Sequence, residues 1–354
     1  MRMAKFHGLA LTAAMVGLAA TAAGAQSVES FYKGKQLDLF IGYSTGGGYD
    51  TYGRIVARHM GKHIPGNPSF TPKNLPGAGS LLLVNQLYNT LPKDGTVIGI
   101  FARAAAWEPL FGNAQAKFDP TKLNWLGSGN NEVSICAFWH TVGLKSTEEF
   151  MTKPLVVGGT GPGADTDNFP LTLNNVLGTK LKLITGYPGG NDVNVAIERG
   201  EVQGRCGWSW SSVKSTRPHW LEEKRIFIPV QFALAKHEDL KDVPLVLDLA
   251  KTEEERNILE VIFAAQPMGR PFAAPPDVPA DRVKALRAAF DATFKDQEFL
   301  AEANKAKLEI DPVSGDEVEK IVNKVANMPP ALLKAAYEAS TRKDRIQIEE
   351  KAKK

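Results

Sequence analysis

Apolar runs of strand length alternate along this chain with segments whose apolar residues recur at helical spacing. The first run covers residues 37–43, and the segment after it predicts an amphipathic helix because its apolar positions lie three and four residues apart, at Tyr52, Ile55, Val56, His59 and Met60. Further strands are predicted at 69–73, 96–101, 155–158, 181–185 and 269–273, and surface helices at 281–294 and 314–325. This alternation predicts an α/β fold with mostly parallel sheets that are covered by helices on both faces.

The junction between the first strand and the first helix is rich in glycine. It has the sequence Gly42-Tyr43-Ser44-Thr45-Gly46-Gly47-Gly48-Tyr49-Asp50. Glycine lets the backbone come close to a ligand, and the unpaired N–H groups at the start of a helix attract an anion. Asp50 is placed to cap these N–H groups. The junction therefore predicts a site for an anion.

Glycine-rich turns follow two later strands, at 159–163 and at 189–190. Because ligands of α/β sheets bind at the carboxyl ends of the strands, the three turns predict one site in a cleft between two lobes. An apolar run at 133–139 indicates a crossing into the second lobe, and a run at 225–233 indicates a return. We expect lobe 1 to comprise 26–131, lobe 2 to comprise 132–230, and the return to lobe 1 with the C-terminal helices to comprise 231–354.

Residues 1–25 have the features of a secretory signal peptide. Arg2 and Lys5 precede an apolar stretch at 8–20, and Ala23-Gly24-Ala25 is typical of a cleavage site. Without these residues the formal charge falls from +3 to +1, which excludes the basic surface typical of proteins that bind nucleic acid or an anionic membrane. No later segment is apolar for the roughly 20 residues that a membrane span requires, so no membrane insertion is predicted.

The two cysteines, Cys136 and Cys206, lie in a chain that is predicted to be exported. An oxidising compartment favours a disulfide bond between them, and two buried free thiols are the alternative. Neither cysteine has the spacing of a zinc or redox motif. His59 and His63 lie four residues apart, but the H-E-x-x-H pattern is absent, so no metal site is predicted.

An enzyme is the competing interpretation of the first glycine turn. Residues 42–46 match G-x-S-x-G, the nucleophile motif of α/β hydrolases, with Ser44 as the nucleophile. Only about ten mature residues precede the strand, whereas that motif normally follows several strands, so we favour binding over hydrolysis. The turns also lack the lysine and the acidic residue of nucleotide-binding motifs, and no cofactor is predicted.

Three helix N-termini do not suffice for tight binding of an anion. Each contributes at most about 2 kcal/mol, and the sum of roughly 6 kcal/mol falls short of the ~8 kcal/mol of a micromolar complex. Side chains must supply the remainder. The candidates are Ser44, Thr45, Thr160, Tyr187, Asn191, Arg103 and Trp208. Arg205 lies inside a strand, and we expect it to be structural.

Several motifs together resemble one known family. They are Gly46-Gly47-Gly48-Tyr49-Asp50 with Arg54, Asn74-Leu75-Pro76-Gly77-Ala78-Gly79, Pro92-Lys93-Asp94-Gly95, Tyr187-Pro188-Gly189-Gly190-Asn191-Asp192 with Gly200-Glu201-Val202, and Pro276-Asp277-Val278-Pro279. In this order, over most of the mature chain, they resemble the receptor proteins of tripartite tricarboxylate transporters, also called Bug-type solute-binding proteins.

The resemblance implies a two-lobed type II periplasmic-binding fold, a Venus flytrap that closes on a small organic acid. It also implies a periplasmic location, delivery of the acid to membrane permease subunits, and a monomer. In that family the first strand-helix loop and the loops of the second lobe hold the carboxylate. By position, this points to Tyr43, Ser44, Thr45, Gly46, Gly47, Gly48, Tyr49, Gly77, Ala78, Gly79, Gly159, Thr160, Gly161, Tyr187, Gly189, Gly190 and Asn191.

The chain departs from the family pattern at positions that are expected to line the pocket. Ser44 replaces a common proline, Ser80 replaces a frequent glycine, and the segment Cys206-Gly207-Trp208-Ser209-Trp210 is unusual. A bulky or aromatic carboxylate is expected if Trp208 faces the cleft. A periplasmic ligand sensor for a membrane kinase is the alternative function, and the neighbouring genes distinguish it from a transport receptor.

Overall fold

The computed structural model describes residues 27–341, and the predicted signal peptide lies outside them. The strands of this part are β1 (Gln36–Ile41), β2 (Ser69–Asn74), β3 (Val97–Ile100), β4 (Asn124–Ser128), β5 (Ser134–Trp139), β6 (Pro154–Gly158), β7 (Lys180–Ile184), β8 (Gly204–Ser209), β9 (Ile226–Phe227), β10 (Gln231–Phe232), β11 (Pro271–Ala274) and β12 (Val313–Ser314). The α-helices are α1 (Val28–Tyr32), α2 (Gly48–His59), α3 (Leu81–Asn89), α4 (Thr147–Thr152), α5 (Asp165–Thr172), α6 (Gly190–Glu198), α7 (Trp210–Thr216), α8 (Pro218–Glu222), α9 (Glu253–Phe263), α10 (Ala280–Thr293), α11 (Gln297–Lys305), α12 (Gly315–Ala326) and α13 (Pro330–Ser340).

The strands form two separate sheets. The sheet of lobe 1 has the order β12-β4-β11-β3-β1-β2, and the sheet of lobe 2 has the order β10-β5-β8-β6-β7, with β9 also paired to β5. The predicted α/β class is confirmed. In lobe 1, β1 places Leu37, Leu39 and Ile41 in the core, and the buried Tyr52 and Val56 of α2 belong to the same hydrophobic cluster.

The sheets are mixed, whereas the sequence predicted mostly parallel ones. The pairs β1-β2, β1-β3, β6-β7 and β6-β8 are parallel. In contrast, β11 runs antiparallel to both of its neighbours, and β5 runs antiparallel to β8. These are the strands with which the chain enters a sheet from the other lobe, so they arrive in the opposite direction.

The chain rejoins lobe 1 later than the sequence predicted. The expected boundary between residues 230 and 231 falls between β9 and β10, but both of these two-residue strands pair with β5 of lobe 2. The first strand to return to the sheet of lobe 1 is β11, and β12 follows it. The C-terminal helices also divide, since α12 packs on β4 whereas α13 packs on α5 and α9. The apolar run at 225–233 therefore belongs to an edge of lobe 2 and does not mark the return.

A disulfide bond joins Cys136 of β5 to Cys206 of β8, which confirms one of the two alternatives left open by the sequence. Both cysteines are fully buried, so the bond links neighbouring strands inside lobe 2. Within residues 27–341, no helix combines the length and the apolar character that crossing a bilayer requires.

Candidate ligand-binding site

A cavity of about 40 Å³ lies between the two lobes. Lobe 1 contributes the start of α2 and the end of β3, and lobe 2 contributes the starts of α5 and α6 and the end of β8. The predicted site residues that line the cavity are Tyr43, Gly47, Gly48, Tyr49, Arg103, Thr160, Gly190, Asn191 and Trp208.

Two long helices begin at this cavity. Gly47 precedes α2 and Gly189 precedes α6, and neither glycine provides a side-chain cap. The first residues of both helices, Gly48 and Gly190, line the cavity. Because the first N–H groups of a helix have no partner within it, both helices direct positive partial charge at the cavity.

The glycine turn at 159–163 lies beside the cavity, but its N–H groups already have acceptors. The N–H of Thr160 donates to Oγ1 of Thr166 at 3.0 Å, and the N–H of Gly161 donates to Oδ1 of Asp167 at 2.8 Å. Side chains of α5 thus occupy the donors that the sequence assigned to an anion. This turn therefore contributes Thr160 to the cavity wall, and the N–H groups of Thr160 and Gly161 are not available to a ligand.

Arg205 of β8 is the residue that sequence reasoning missed. Its side chain is 4% exposed and lines the cavity. One guanidinium nitrogen, Nη1, donates to the carbonyl oxygen of Gly190 at 2.7 Å and to Oδ1 of Asn194 at 3.0 Å, while Nε has no acceptor. No acidic side chain among the described residues pairs with it. The available signal was a charged residue inside an otherwise apolar, buried strand.

Burial also determines the protonation of Arg205. Desolvation is the largest cause that lowers the pKa of its guanidinium, to about 9. The side chain therefore remains a cation at neutral pH. The guanidinium also lies over the ring of Trp208, with Cζ 5.0 Å from the ring centroid, an arrangement that favours a cation.

Arg103, the cation that the sequence proposed for the ligand, already has an acidic partner. Its Nε donates to Oδ2 of Asp165 at 2.6 Å, and Nη2 donates to Oγ of Ser209 at 2.8 Å. Burial acts to lower the pKa of Arg103, but the attraction of Asp165 outweighs it and the pKa lies above its ordinary value. This buried ion pair joins lobe 1 to lobe 2.

A second buried ion pair lies behind the first. Arg270 is 3.2 Å from the carboxylate of Glu132, and both side chains are fully buried. Burial acts to raise the pKa of Glu132, but the neighbouring Arg270 and Arg103 hold it below its ordinary value. Among the residues that the structure describes, the two pairs leave Arg205 as the cation at this cavity that no acid balances.

Aromatic rings form the remaining walls. Tyr43 and Tyr49 stack with their centroids 4.8 Å apart, and Trp208 packs edge-on against Trp220. Burial raises the pKa of both tyrosines, so their hydroxyl groups remain protonated donors at neutral pH. Trp208 lies in the cavity wall.

Other predicted residues connect the lobes without lining the cavity. Oγ of Ser44 donates to Oδ2 of Asp192 at 2.5 Å, and the N–H of Gly79 donates to the carbonyl oxygen of Thr160 at 3.3 Å. A Cβ added to Gly79 would lie 2.5 Å from the carbonyl oxygen of Pro162, and one added to Gly161 would lie 2.9 Å from the nitrogen of Gly79. These loops therefore form direct backbone contacts across the cleft.

The rest of the predicted set does not line the cavity. Those residues are Thr45 and Gly46, which are exposed, Gly77 and Ala78 in the loop before α3, Gly159 behind the cavity wall, Gly189 against Ser44, and Tyr187, which interacts with Glu201. Asp50 lies in the first turn of α2, where Oδ2 accepts from the N–H of Gly46 at 3.0 Å and Oδ1 pairs with Arg54.

Two clusters of the described residues have a composition suited to metal binding. They comprise His59, Asp296 and Glu298, and His237, Asp239 and Glu309. Lys62 bonds both carboxylates of the first cluster at 2.6 Å, and Lys214 bonds both carboxylates of the second at 2.8 and 2.5 Å. In each cluster an ammonium group already occupies the position that a cation would take.

The contact between Ser44 and Asp192 separates the binding interpretation from the hydrolase interpretation. In Ser44→Ala we expect the unfolding free energy to fall by about 1 kcal/mol, because a carboxylate loses its hydrogen-bond donor. Thermal unfolding measures this, and Thr45→Ala, an exposed neighbour, is the matched control with no expected change. Hydrolysis of p-nitrophenyl acetate by the wild type that disappears in Ser44→Ala would instead support the nucleophile motif.

Comparison with known proteins shows similarity in three dimensions only. No known family model matches the sequence, and no curated protein matches it. Solved structures do match. They include the periplasmic binding protein BugD, with 15% identity, a TM-score of 0.68 and coverage of 87% of this chain and 98% of that one.

Two further matches come from Rhodopseudomonas palustris. MatC with bound malate has 16% identity and a TM-score of 0.68, covering 86% of this chain and 99% of its own. A second protein, with adipate, has 14% identity and a TM-score of 0.66, covering 86% and 97%. At these identities the likeness concerns the fold. The predicted architecture is confirmed: this chain has the two-lobed type II periplasmic-binding-protein fold, with its cavity in the cleft between the lobes.

Proposed function

We propose that this protein is a periplasmic solute-binding receptor that captures a small organic acid and delivers it to a membrane transporter of the tripartite tricarboxylate type. The observation that carries the proposal is Arg205, a buried cation in the cleft wall with which no acidic side chain of residues 27–341 pairs. A carboxylate bound there supplies the missing negative charge and accepts the free N–H at Nε. The resemblance of the sequence motifs to the receptor family supports the exported location and the permease partner.

The energetics of the cleft suit a carboxylate. The N-termini of α2 and α6 each contribute up to about 2 kcal/mol toward an anion, and a hydrogen bond from a charged donor contributes about 1.5–3 kcal/mol. Together these reach roughly the ~8 kcal/mol of a micromolar complex once the aromatic walls add apolar contact. The sequence predicted that three helix N-termini contribute to the binding free energy. In the structure two helix N-termini and Arg205 supply it.

The contacts between the lobes support capture by closure. The ion pair between Arg103 and Asp165 and the hydrogen bond between Ser44 and Asp192 each join the two lobes. The ion pair lies in the cavity wall, and both contacts hold the lobes together. The bond from Ser44 to a carboxylate gives this hydroxyl a role in closure, which favours a receptor over a hydrolase. Malate and adipate in two proteins of the same fold support an organic acid as the ligand.

A panel of acids tests the proposal. We expect at least one mono-, di-, tri- or aromatic carboxylate to bind with a micromolar dissociation constant in isothermal titration calorimetry, and to raise the melting temperature. Tryptophan emission should change on binding because Trp208 lines the cavity. The uncharged amide of each acid is the matched control, and we expect it not to bind because it cannot neutralise Arg205. Failure of every acid in the panel contradicts the proposal.

A further inference from the structure

The buried charges around the cavity do not cancel. Among the described residues that line it or bond directly to those that do, Arg103 pairs with Asp165 and Arg270 pairs with Glu132. Arg217 bonds Asn191 in the cavity wall, but it has its own acid in Glu198. Of these described residues only Arg205 is left without an acid, so together they carry an excess of one positive charge. A buried charge is costly unless it is paired, and a ligand with one net negative charge balances this one.

A buried acceptor of a residue that lines the cavity has no donor among the described residues. Asp165 is 5% exposed, and its Oδ2 receives the bond from Arg103. Its other oxygen, Oδ1, is buried and has no hydrogen-bond partner among the described residues. Burial raises the pKa of this carboxyl group, whereas the neighbouring Arg103 acts to lower it. Because a buried acceptor is expensive to leave unpaired in either case, the ligand is expected to bring a donor to it. A second carboxylate at this position would instead face a like charge.

Asp165 and Arg205 lie in the wall of the same cavity and interact electrostatically. The cavity is small, about 40 Å³, so one compact molecule must satisfy both groups. Among the described residues, the N–H at Nε of Arg205 has no acceptor and Oδ1 of Asp165 has no donor. Because both residues line this one small cavity, a single ligand that carries a carboxylate and a hydroxyl group close together complements them.

We infer that the bound acid is a 2-hydroxymonocarboxylate, whose carboxylate pairs with Arg205 and whose hydroxyl group donates to Oδ1 of Asp165. This inference rests on the proposed function, because it specifies the acid that the receptor captures. It distinguishes the cleft from one that selects dicarboxylates, since the second carboxylate would add a charge that no cation at this cavity balances.

Matched pairs of acids test the inference with the wild-type protein. Lactate and propionate differ only in the hydroxyl group, as do the bulkier acids mandelate and phenylacetate. For one of the two pairs we expect the hydroxy acid to bind about tenfold tighter or more, because it alone gives Asp165 a donor. Titration calorimetry measures both constants. Equal affinities within the pair that binds overturn the inference and leave the proposed function standing.

Two further arms test the charge. Alanine replaces the hydroxyl group of lactate with an ammonium group and has no net charge, so we expect it to bind more weakly than lactate. Succinate and malate carry two negative charges, and we expect them to bind more weakly than the preferred hydroxy acid. Tighter binding of alanine, or binding of only di- and tricarboxylates, overturns the inference. Failure of all acids, in contrast, contradicts the proposed function itself.

The variant Asp165→Asn tests the acceptor. We expect the ratio of the two affinities in the preferred pair to fall by about threefold or more, because a neutral amide oxygen accepts more weakly than a carboxylate. The ratio is the readout because loss of the ion pair with Arg103 alters both affinities together. Asp239→Asn, a carboxylate that bonds Trp210 and Lys214 outside the cavity, is the control with an unchanged ratio. An unchanged ratio in Asp165→Asn overturns the role of Oδ1.

Discussion

Arg205→Gln is expected to abolish most of the ligand affinity without destabilising the ligand-free protein. The affinity for the preferred acid should fall about 100-fold, because the charged donor is lost from a buried site. The unfolding free energy of the ligand-free protein should rise by about 1 kcal/mol, since an unbalanced charge leaves the interior while an amide remains to donate to Asn194 and Gly190. Calorimetry and urea denaturation measure the two effects.

The contrast between binding and stability is the informative result. Arg199→Gln, at the exposed C-terminus of α6, is the matched control, and both quantities should stay unchanged. In the wild type the affinity should also weaken as the pH rises above about 9, where Arg205 loses its proton. A variant that loses stability but keeps its affinity would show that Arg205 is structural, as the sequence suggested.

Removal of the disulfide bond should have the largest effect on stability. The two cysteines are 70 residues apart, and a cross-link across a loop of that size stabilises by about 4 kcal/mol through the entropy of the unfolded chain. In Cys136→Ala with Cys206→Ala we expect the unfolding free energy in urea to fall by about that amount. The native state also loses a link between β5 and β8, the strand that carries Arg205 and Trp208.

Reduction provides the control for this prediction. Wild-type protein in dithiothreitol should lose the same stability as the double variant, and the variant itself should not respond to the reductant. If the double variant unfolds at the same urea concentration as the oxidised wild type, the bond contributes nothing to stability and the entropic argument fails for this chain.

Local features of the sequence predict the fold well. Alternating strand and helix signals, and glycine turns such as Gly46-Gly47-Gly48, depend on neighbouring residues and are therefore visible in the sequence. The position of the return to lobe 1 is not visible in this way. The run at 225–233 has the apolar character of a strand, and only its pairing with β5 assigns it to lobe 2.

The candidate site was predicted less completely because its chemistry depends on which charged and polar groups are paired in the folded chain. Nothing near Arg205 in the sequence shows that no acid pairs with it, and nothing near Arg103 shows that Asp165 does. Likewise, in the sequence the turn at Thr160 and Gly161 resembles the other glycine turns. Only the structure shows that side chains of α5 accept hydrogen bonds from its N–H groups. Pairing of this kind is a property of the folded chain, and it decides which donors remain for a ligand.

The backbone contact between Gly79 and Gly161 also fixes how far the lobes can travel toward each other. Main-chain atoms from the two sides already touch there, with no side chain between them to compress or rotate away. The closed width of the cleft is therefore set by the backbone and stays the same for every ligand small enough to fit. An alanine at either glycine would place its Cβ against the backbone of the facing loop and keep the two lobes from closing fully, whichever acid is bound.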